Sequence, residues 1–221
     1  GIGLHDSSAA LIPYLAVFKE PFVLISTGTW CISLNPFNNT PLTNDELNND
    51  CLCYMEYEGK PVKASRLFAG NEHEQQTKIL SAHFNKPPDF YKKVKYSAAI
   101  VLQLQKKHSF DIPLKKNGGD IYSSVFKTRN LAAFKNYEEA YHCLLLDIML
   151  QQYSSTKLVL SGSKVSRIFV DGGFSNNSIY MHLLALAFPG LEVYAASVAQ
   201  ATAMGAALAI HKEWNELPVP A

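Results

Sequence analysis

The stretch Arg167 to Asn177, RIFVDGGFSNN, limits the possible folds of this chain more than any other. Ile168, Phe169 and Val170 form a short β-branched and aromatic run, Asp171-Gly172-Gly173 interrupts it, and apolar residues then recur at Ile179, Leu183, Leu186 and Ala187. Such a run, a glycine break and a helical repeat predict strand, turn and helix in succession. Two adjacent glycines let backbone approach a flat or charged ligand with no Cβ in the way, and Asn176 or Asn177 stands where a cap would hold the first free amides. The turn suits a nucleotide; taken alone, it is more simply an ordinary strand-to-helix turn. Asp6, Thr27 to Thr29 and Ala201 to Ala207 shift that balance.

The chain has 221 residues, 48% of them apolar, enough to build the core of one large domain or two small ones. Its 20 basic residues balance 19 acidic ones, and no apolar run would span a bilayer, so neither nucleic acid nor a membrane is expected as a partner. The cysteines Cys31, Cys51, Cys53 and Cys143 include no C-x-x-C, although Cys51 and Cys53 share one side of an expected strand. Reduced thiols in a cytoplasmic protein are the expectation. The chain opens abruptly at GIGLHDSSAAL and its first methionine is Met55, which reads as a piece of a longer protein.

Taken in order, the first loop enters a helix with Asp6, Ser7 or Ser8 as candidate cap. Asp6 is equally placed to accept a proton from a substrate hydroxyl, with His5 as a positioning neighbour. Phe22 to Ser26 and Trp30 to Leu34 read as a hairpin whose tip, Thr27-Gly28-Thr29, offers hydroxyls and unpaired amides to an anion, or is merely a glycine turn. Trp30 is expected in the core. Asn35 to Asp50 reads as loop, Cys51 to Glu58 and Lys60 to Leu67 as a second hairpin, and Asn71 to Phe84 and Tyr91 to Lys107 as helices. His73, His83, His108 and His142 keep no ligand spacing, and Asp111 to Asp120, with Lys115 and Lys116, reads as a solvated loop. Asn136 to Glu139 resemble a capping box ahead of a long helix in which Tyr141, Leu144, Leu145, Ile148 and Met149 repeat. A strand at Glu192 to Tyr194 and a close-packed helix at Gln200 to Ile210 follow, the latter facing inward through Ala203, Ala206, Ala207 and Ile210.

A loop Asp, a T-G-T hairpin, a long helix, D-G-G and an Ala/Gly-rich helix, in this order, resemble the C-terminal domain of the FGGY family of carbohydrate kinases. The resemblance covers essentially residues 1–221 and implies an α/β, actin/hexokinase-like (ribonuclease H-like) domain, a mixed sheet flanked by helices. On this resemblance Thr27, Gly28 and Thr29 match a phosphate motif, Gly172, Gly173, Phe174 and Asn176 an adenosine motif, and Ala201 to Ala207 a connecting helix. His5 and Asp6 match the pair at the sugar site, with Asp6 as catalytic base. H-D-x-x-x-A, S-T-G-T-W and F-V-D-G-G-F look most like the rhamnulokinase and fuculokinase branch.

The implied activity is transfer of the ATP γ-phosphoryl group, with Mg²⁺, to a hydroxyl of a ketose such as rhamnulose or fuculose. The implied partners are that sugar, ATP and an N-terminal sugar-binding domain that this chain lacks. The metal ligands are left unassigned. By itself the chain is expected to fold without transferring phosphate, and apolar surface left uncovered provides for a homo-oligomer. The alternative is a nucleotide-binding or interaction module of the same fold without catalysis.

Overall fold

The computed structural model describes residues 3–108, 125–196 and 200–218; the loop expected at Asp111 to Asp120 lies outside them. The chain forms α1 (Asp6–Val17), β1 (Phe22–Thr27), β2 (Cys31–Asn35), α2 (Asn44–Asn48), β3 (Cys51–Met55), β4 (Pro61–Leu67) and α3 (Ala69–His83). These are followed by α4 (Ala98–His108), α5 (Tyr137–Leu160), β5 (Arg167–Gly172), α6 (Ser178–Ala187), β6 (Glu192–Ala195), α7 (Ala201–Ala209) and α8 (His211–Trp214). The six strands make one sheet in the order β3-β4-β2-β1-β5-β6. β1, β2, β4 and β3 pair antiparallel, whereas β5 joins β1 and β6 joins β5 in parallel.

Because side chains alternate across a strand, central β1 supplies two cores at once. Val23 and Ile25 enter the larger core with α3 to α6; Phe22 and Leu24 enter the smaller one with Leu11 and Tyr14 of α1. β5 divides likewise, Ile168 and Val170 to the first and Phe169 to the second. The near-continuous apolar run of each strand follows from burial on both faces. Within the larger core α5 is sheathed on nearly all sides, and Tyr141, Leu144, Leu145, Ile148 and Met149 are all buried as its repeat predicts.

Several sequence expectations are corrected. Residues 91–107 do not form one helix: a 3₁₀ turn at Phe90–Lys93 is separated from α4 by an extended link. Tertiary partners take the amides there, Tyr96 N donating to Ser178 Oγ and Ser97 N to His142 Nε2, and so compete with helix bonds. The 35–50 loop contains α2, whose T-x-x-E start is a complete capping box between Thr43 and Glu46. At α5 the box is shared differently: Asn136 caps the Glu139 amide, but the Glu139 carboxylate receives the amide of Lys135. The second hairpin has shorter strands than expected, joining Met55 to Pro61 around Glu56 to Lys60.

The close-packed helix turns a different face inward. Ala201 and Gly205 of α7 are buried, while Ala203, Ala206, Ala207 and Ile210 are not. Gly205 lies on the backbone of α1, where a Cβ would collide with the Ala9 carbonyl. Among the described residues no helix is long and apolar enough to cross a membrane.

Gly205→Ala should lower stability by about 2 kcal/mol, because overpacking against a facing backbone outweighs the gain of about 1 kcal/mol in helix propensity. Urea denaturation measures it. An unchanged or raised midpoint would show that α1 and α7 do not approach so closely.

Candidate functional site

The site is built where the β1–β2 hairpin meets the glycine turn. In the parallel ladder Ser26 stands opposite Asp171 and Thr27 opposite Gly172. Thr27 Oγ1 donates to the Asp171 carbonyl at 2.5 Å and accepts from the Phe174 amide at 3.0 Å. Gly172 has φ 88° and ψ −155°, a conformation open essentially to glycine alone, and a Cβ there would strike the Thr27 carbonyl. From the other side Gly70, opening α3, lies on Gly28, and Asn71 N donates to Thr29 O at 3.0 Å. Two segments distant in sequence thus lock one hairpin tip.

This arrangement revises the donors expected at the tip. The Thr27 hydroxyl hydrogen is spent on Asp171, and the Gly28 amide donates to Trp30 O at 2.8 Å. Thr29, exposed and without a side-chain hydrogen bond among the described residues, keeps its hydroxyl. Trp30 is not in the core: it is 41% exposed, packs on Phe68 with ring centroids 4.5 Å apart, and carries the Arg66 guanidinium over its ring. β2 starts one residue later than expected, at Cys31, leaving Trp30 in the turn.

A cavity of about 570 Å³ opens on one side of the tip, lined by Thr27, Gly28, Gly70, His73, Gly173, Phe174, Asn176 and Asn177, with residues 91–95 as its far wall. That volume suits a small-molecule ligand. Gly173 faces open space, so glycine here leaves room and is not required by the backbone. Phe174 is a floor residue, buried and stacked on Tyr180 at 4.5 Å. Asn177, not Asn176, caps α6: its Oδ1 accepts from the amides of Ile179 and Tyr180. Asn176 stays exposed at the rim.

A second cavity, of about 460 Å³, lies beyond the tip and is lined by His5, Asp6, Ser7, Thr29, Trp30, Tyr54 and Arg66. Gly28 borders both. Asp6 serves as a helix-start acceptor without being consumed by it. Its Oδ1 accepts from Ser7 N at 2.7 Å and Ser7 Oγ at 3.2 Å, while Oδ2 has no partner among the described residues. The N-cap of α1 is His5 and not Asp6, Ser7 or Ser8: His5 Nδ1 accepts from Ser7 N at 3.3 Å and stands 2.9 Å from the same Oδ1.

Residues 19–217 match the family described as carbohydrate kinase FGGY, C-terminal domain. The chain belongs to this family. A sequence search of the curated proteins finds no match. Among solved structures, this FGGY domain is similar to a carbohydrate kinase from Novosphingobium aromaticivorans, with 25% identity, a TM-score of 0.64, and 97% of this chain covered against 44% of that one. A xylulose kinase from Lactobacillus acidophilus is 14% identical, with a TM-score of 0.58 and coverages of 94% and 42%. The Plasmodium falciparum glycerol kinase with ADP is 15% identical, with a TM-score of 0.54 and coverages of 96% and 42%. The chain therefore spans less than half the length of these structures, and its mixed sheet flanked by helices is their actin/hexokinase-like fold.

Within the FGGY domain Asp171 lines neither cavity. Its carboxylate accepts from the Gly172 amide at 2.8 Å and lies near the Tyr14 hydroxyl; burial raises its pKa against the lowering effect of these two neighbours. Gly70, His73, Tyr54 and Arg66 escaped the sequence reading. Only Gly70, just ahead of a predicted helix, left a signal; the others are brought in by tertiary packing. Arg66 is held rigid by Asp50, Nη2 at 2.6 Å and Nε at 3.1 Å. Among the described residues no group of three His, Cys, Asp or Glu is arranged to hold a metal ion.

The two adjacent glycines should behave differently. Gly172→Ala forces a strained φ and a backbone collision and should cost about 2–3 kcal/mol or more, whereas Gly173→Ala should stay within about 0.5 kcal/mol of the parent. Thermal and urea unfolding of the pair measure this. Equal effects would contradict the geometry of the turn.

Proposed function

We propose that this FGGY domain is the nucleotide-binding half of an ATP-dependent carbohydrate kinase that phosphorylates a hydroxyl of a ketose. One observation carries the reading: the hairpin tip at Gly28 is the common border of the two cavities. A nucleoside seated against Gly173 and Asn176 would extend its phosphates past Gly28 and Thr29 toward the cavity that holds Asp6. Phosphoryl transfer asks a protein mainly to align groups and balance charge, and such a border aligns donor with acceptor.

Asp6 is then the base. Its uncommitted Oδ2 orients the acceptor hydroxyl and takes its proton, while the bonds to Oδ1 hold the carboxylate still. Thr29 rather than Thr27 supplies the hydroxyl at the tip; Thr27 positions the turn. Mg²⁺ would screen the phosphates, held chiefly by their own oxygens and water with one or two carboxylates, since the described residues form no acidic cage. A second domain is proposed to supply the facing wall and most sugar contacts, as the share of the solved kinases covered by this chain suggests. A rhamnulose- or fuculose-like ketose is favoured by the His5-Asp6 pair and the S-T-G-T-W tip; a panel of ketoses and polyols given to the full-length protein decides it.

Two outcomes are expected. Gly173→Val should fill the nucleotide cavity, and calorimetry should find ADP binding weakened at least about tenfold in a folded protein; unchanged affinity would remove this turn from the site. Asp6→Asn in the full-length protein keeps the shape but loses the basic oxygen, so turnover should fall about 10²-fold or more with ADP affinity unchanged. Activity within a few-fold of the parent would reduce Asp6 to a helix-start residue.

A further inference from the structure

The hydrogen-bond chain behind the larger cavity fixes which nitrogen of His73 carries the proton. Asn177 Oδ1 accepts two α6 amides, so its amide orientation is set and Nδ2 is the atom 2.6 Å from Tyr141 Oη. An amide nitrogen only donates. Tyr141 Oη therefore accepts from Asn177, and its own hydrogen goes to its other partner, His73 Nε2, at 2.9 Å. With Nε2 accepting, the neutral ring carries its hydrogen on Nδ1. That atom has no hydrogen-bond partner among the described residues and is not fully enclosed, and it belongs to a residue that lines the cavity.

We propose that His73 is a specificity-determining residue of this cavity, its Nδ1–H donating to an unprotonated ring nitrogen of a bound purine. The inference rests on the nucleotide reading above and goes beyond it by naming the group that reads the base. The surroundings suit a flat heteroaromatic edge: the His73 ring meets Phe174 edge-on at 5.2 Å and Tyr91 at 4.9 Å. Burial also holds the imidazole neutral, its pKa lowered to about 4. A neutral donor fits a neutral acceptor and brings no charge for a phosphate. Tyr141 is a positioning residue here, because it selects the tautomer without touching the base.

The test is calorimetric titration of this chain with ADP and with its 1-deaza, 3-deaza and 7-deaza analogues, each lacking one ring nitrogen. One analogue should bind about three- to tenfold more weakly than ADP, the worth of a single neutral hydrogen bond. His73→Phe should bind ADP about as weakly as the parent binds that analogue, and should no longer distinguish the two. His73→Gln, which keeps a donor, should restore part of the discrimination, and circular dichroism of both variants checks their folding. If the parent binds ADP and all three analogues equally, or if His73→Phe still discriminates, the inference fails while the nucleotide site stands. If the parent binds no adenine nucleotide, both fall together.

Discussion

The hydroxyl of Thr27 is the interaction on which the site depends. It ties the end of β1 to both sides of the glycine turn, donating to Asp171 and accepting from Phe174, where a side chain on Gly172 would not fit. A neutral hydrogen bond contributes only about 1 kcal/mol, but a buried amide left without its acceptor costs about 1–3 kcal/mol. The Phe174 amide is buried, so the bridge is favoured more by the penalty of breaking it than by the gain of making it. Gly70 against Gly28 closes the same tip from the side of α3.

Around that lock the central strands β1 and β5 bury apolar side chains on both faces, and the candidate site residues gather beyond the ends of these strands. Gly28 and Thr29 follow β1, Gly173 follows β5 and Asp6 opens α1, so two strand ends and one helix start meet at a single edge. α1 is held over this edge by α7 through Gly205, and the position of Asp6 therefore depends on a contact far from it in sequence. Rigid support of this kind is what the proposed phosphoryl transfer would need, because small displacements of the acceptor are costly in rate.

Asp6 reads from the sequence as cap or base; in the structure its Oδ1 accepts from Ser7 and its Oδ2 has no partner among the described residues. Thr27 and Thr29 looked equivalent as donors, yet the parallel pairing of β1 with β5 consumes the first and leaves the second exposed. At the glycine pair the division is similar, with Gly172 required by backbone conformation and Gly173 by the space it leaves.

Local pattern alone determined the strand-turn-helix at Arg167 to Ala187, the hairpin around Thr27 to Thr29, the apolar repeat of α5 and the order of motifs that points to the FGGY family. These are properties of neighbouring residues, governed by side-chain period and glycine conformation, and need no knowledge of the rest of the chain. Tertiary structure decided the remainder. The break between residues 93 and 98 arises because Ser178 and His142 take amides a helix would have used. Trp30 lies outside the core because the strand begins one residue later, and α7 turns Gly205 inward because only a residue without Cβ can meet the backbone of α1. His73 became a cavity residue with a fixed tautomer through Tyr141 of α5 and Asn177, the cap of α6, whose hydrogen bonds no linear pattern records.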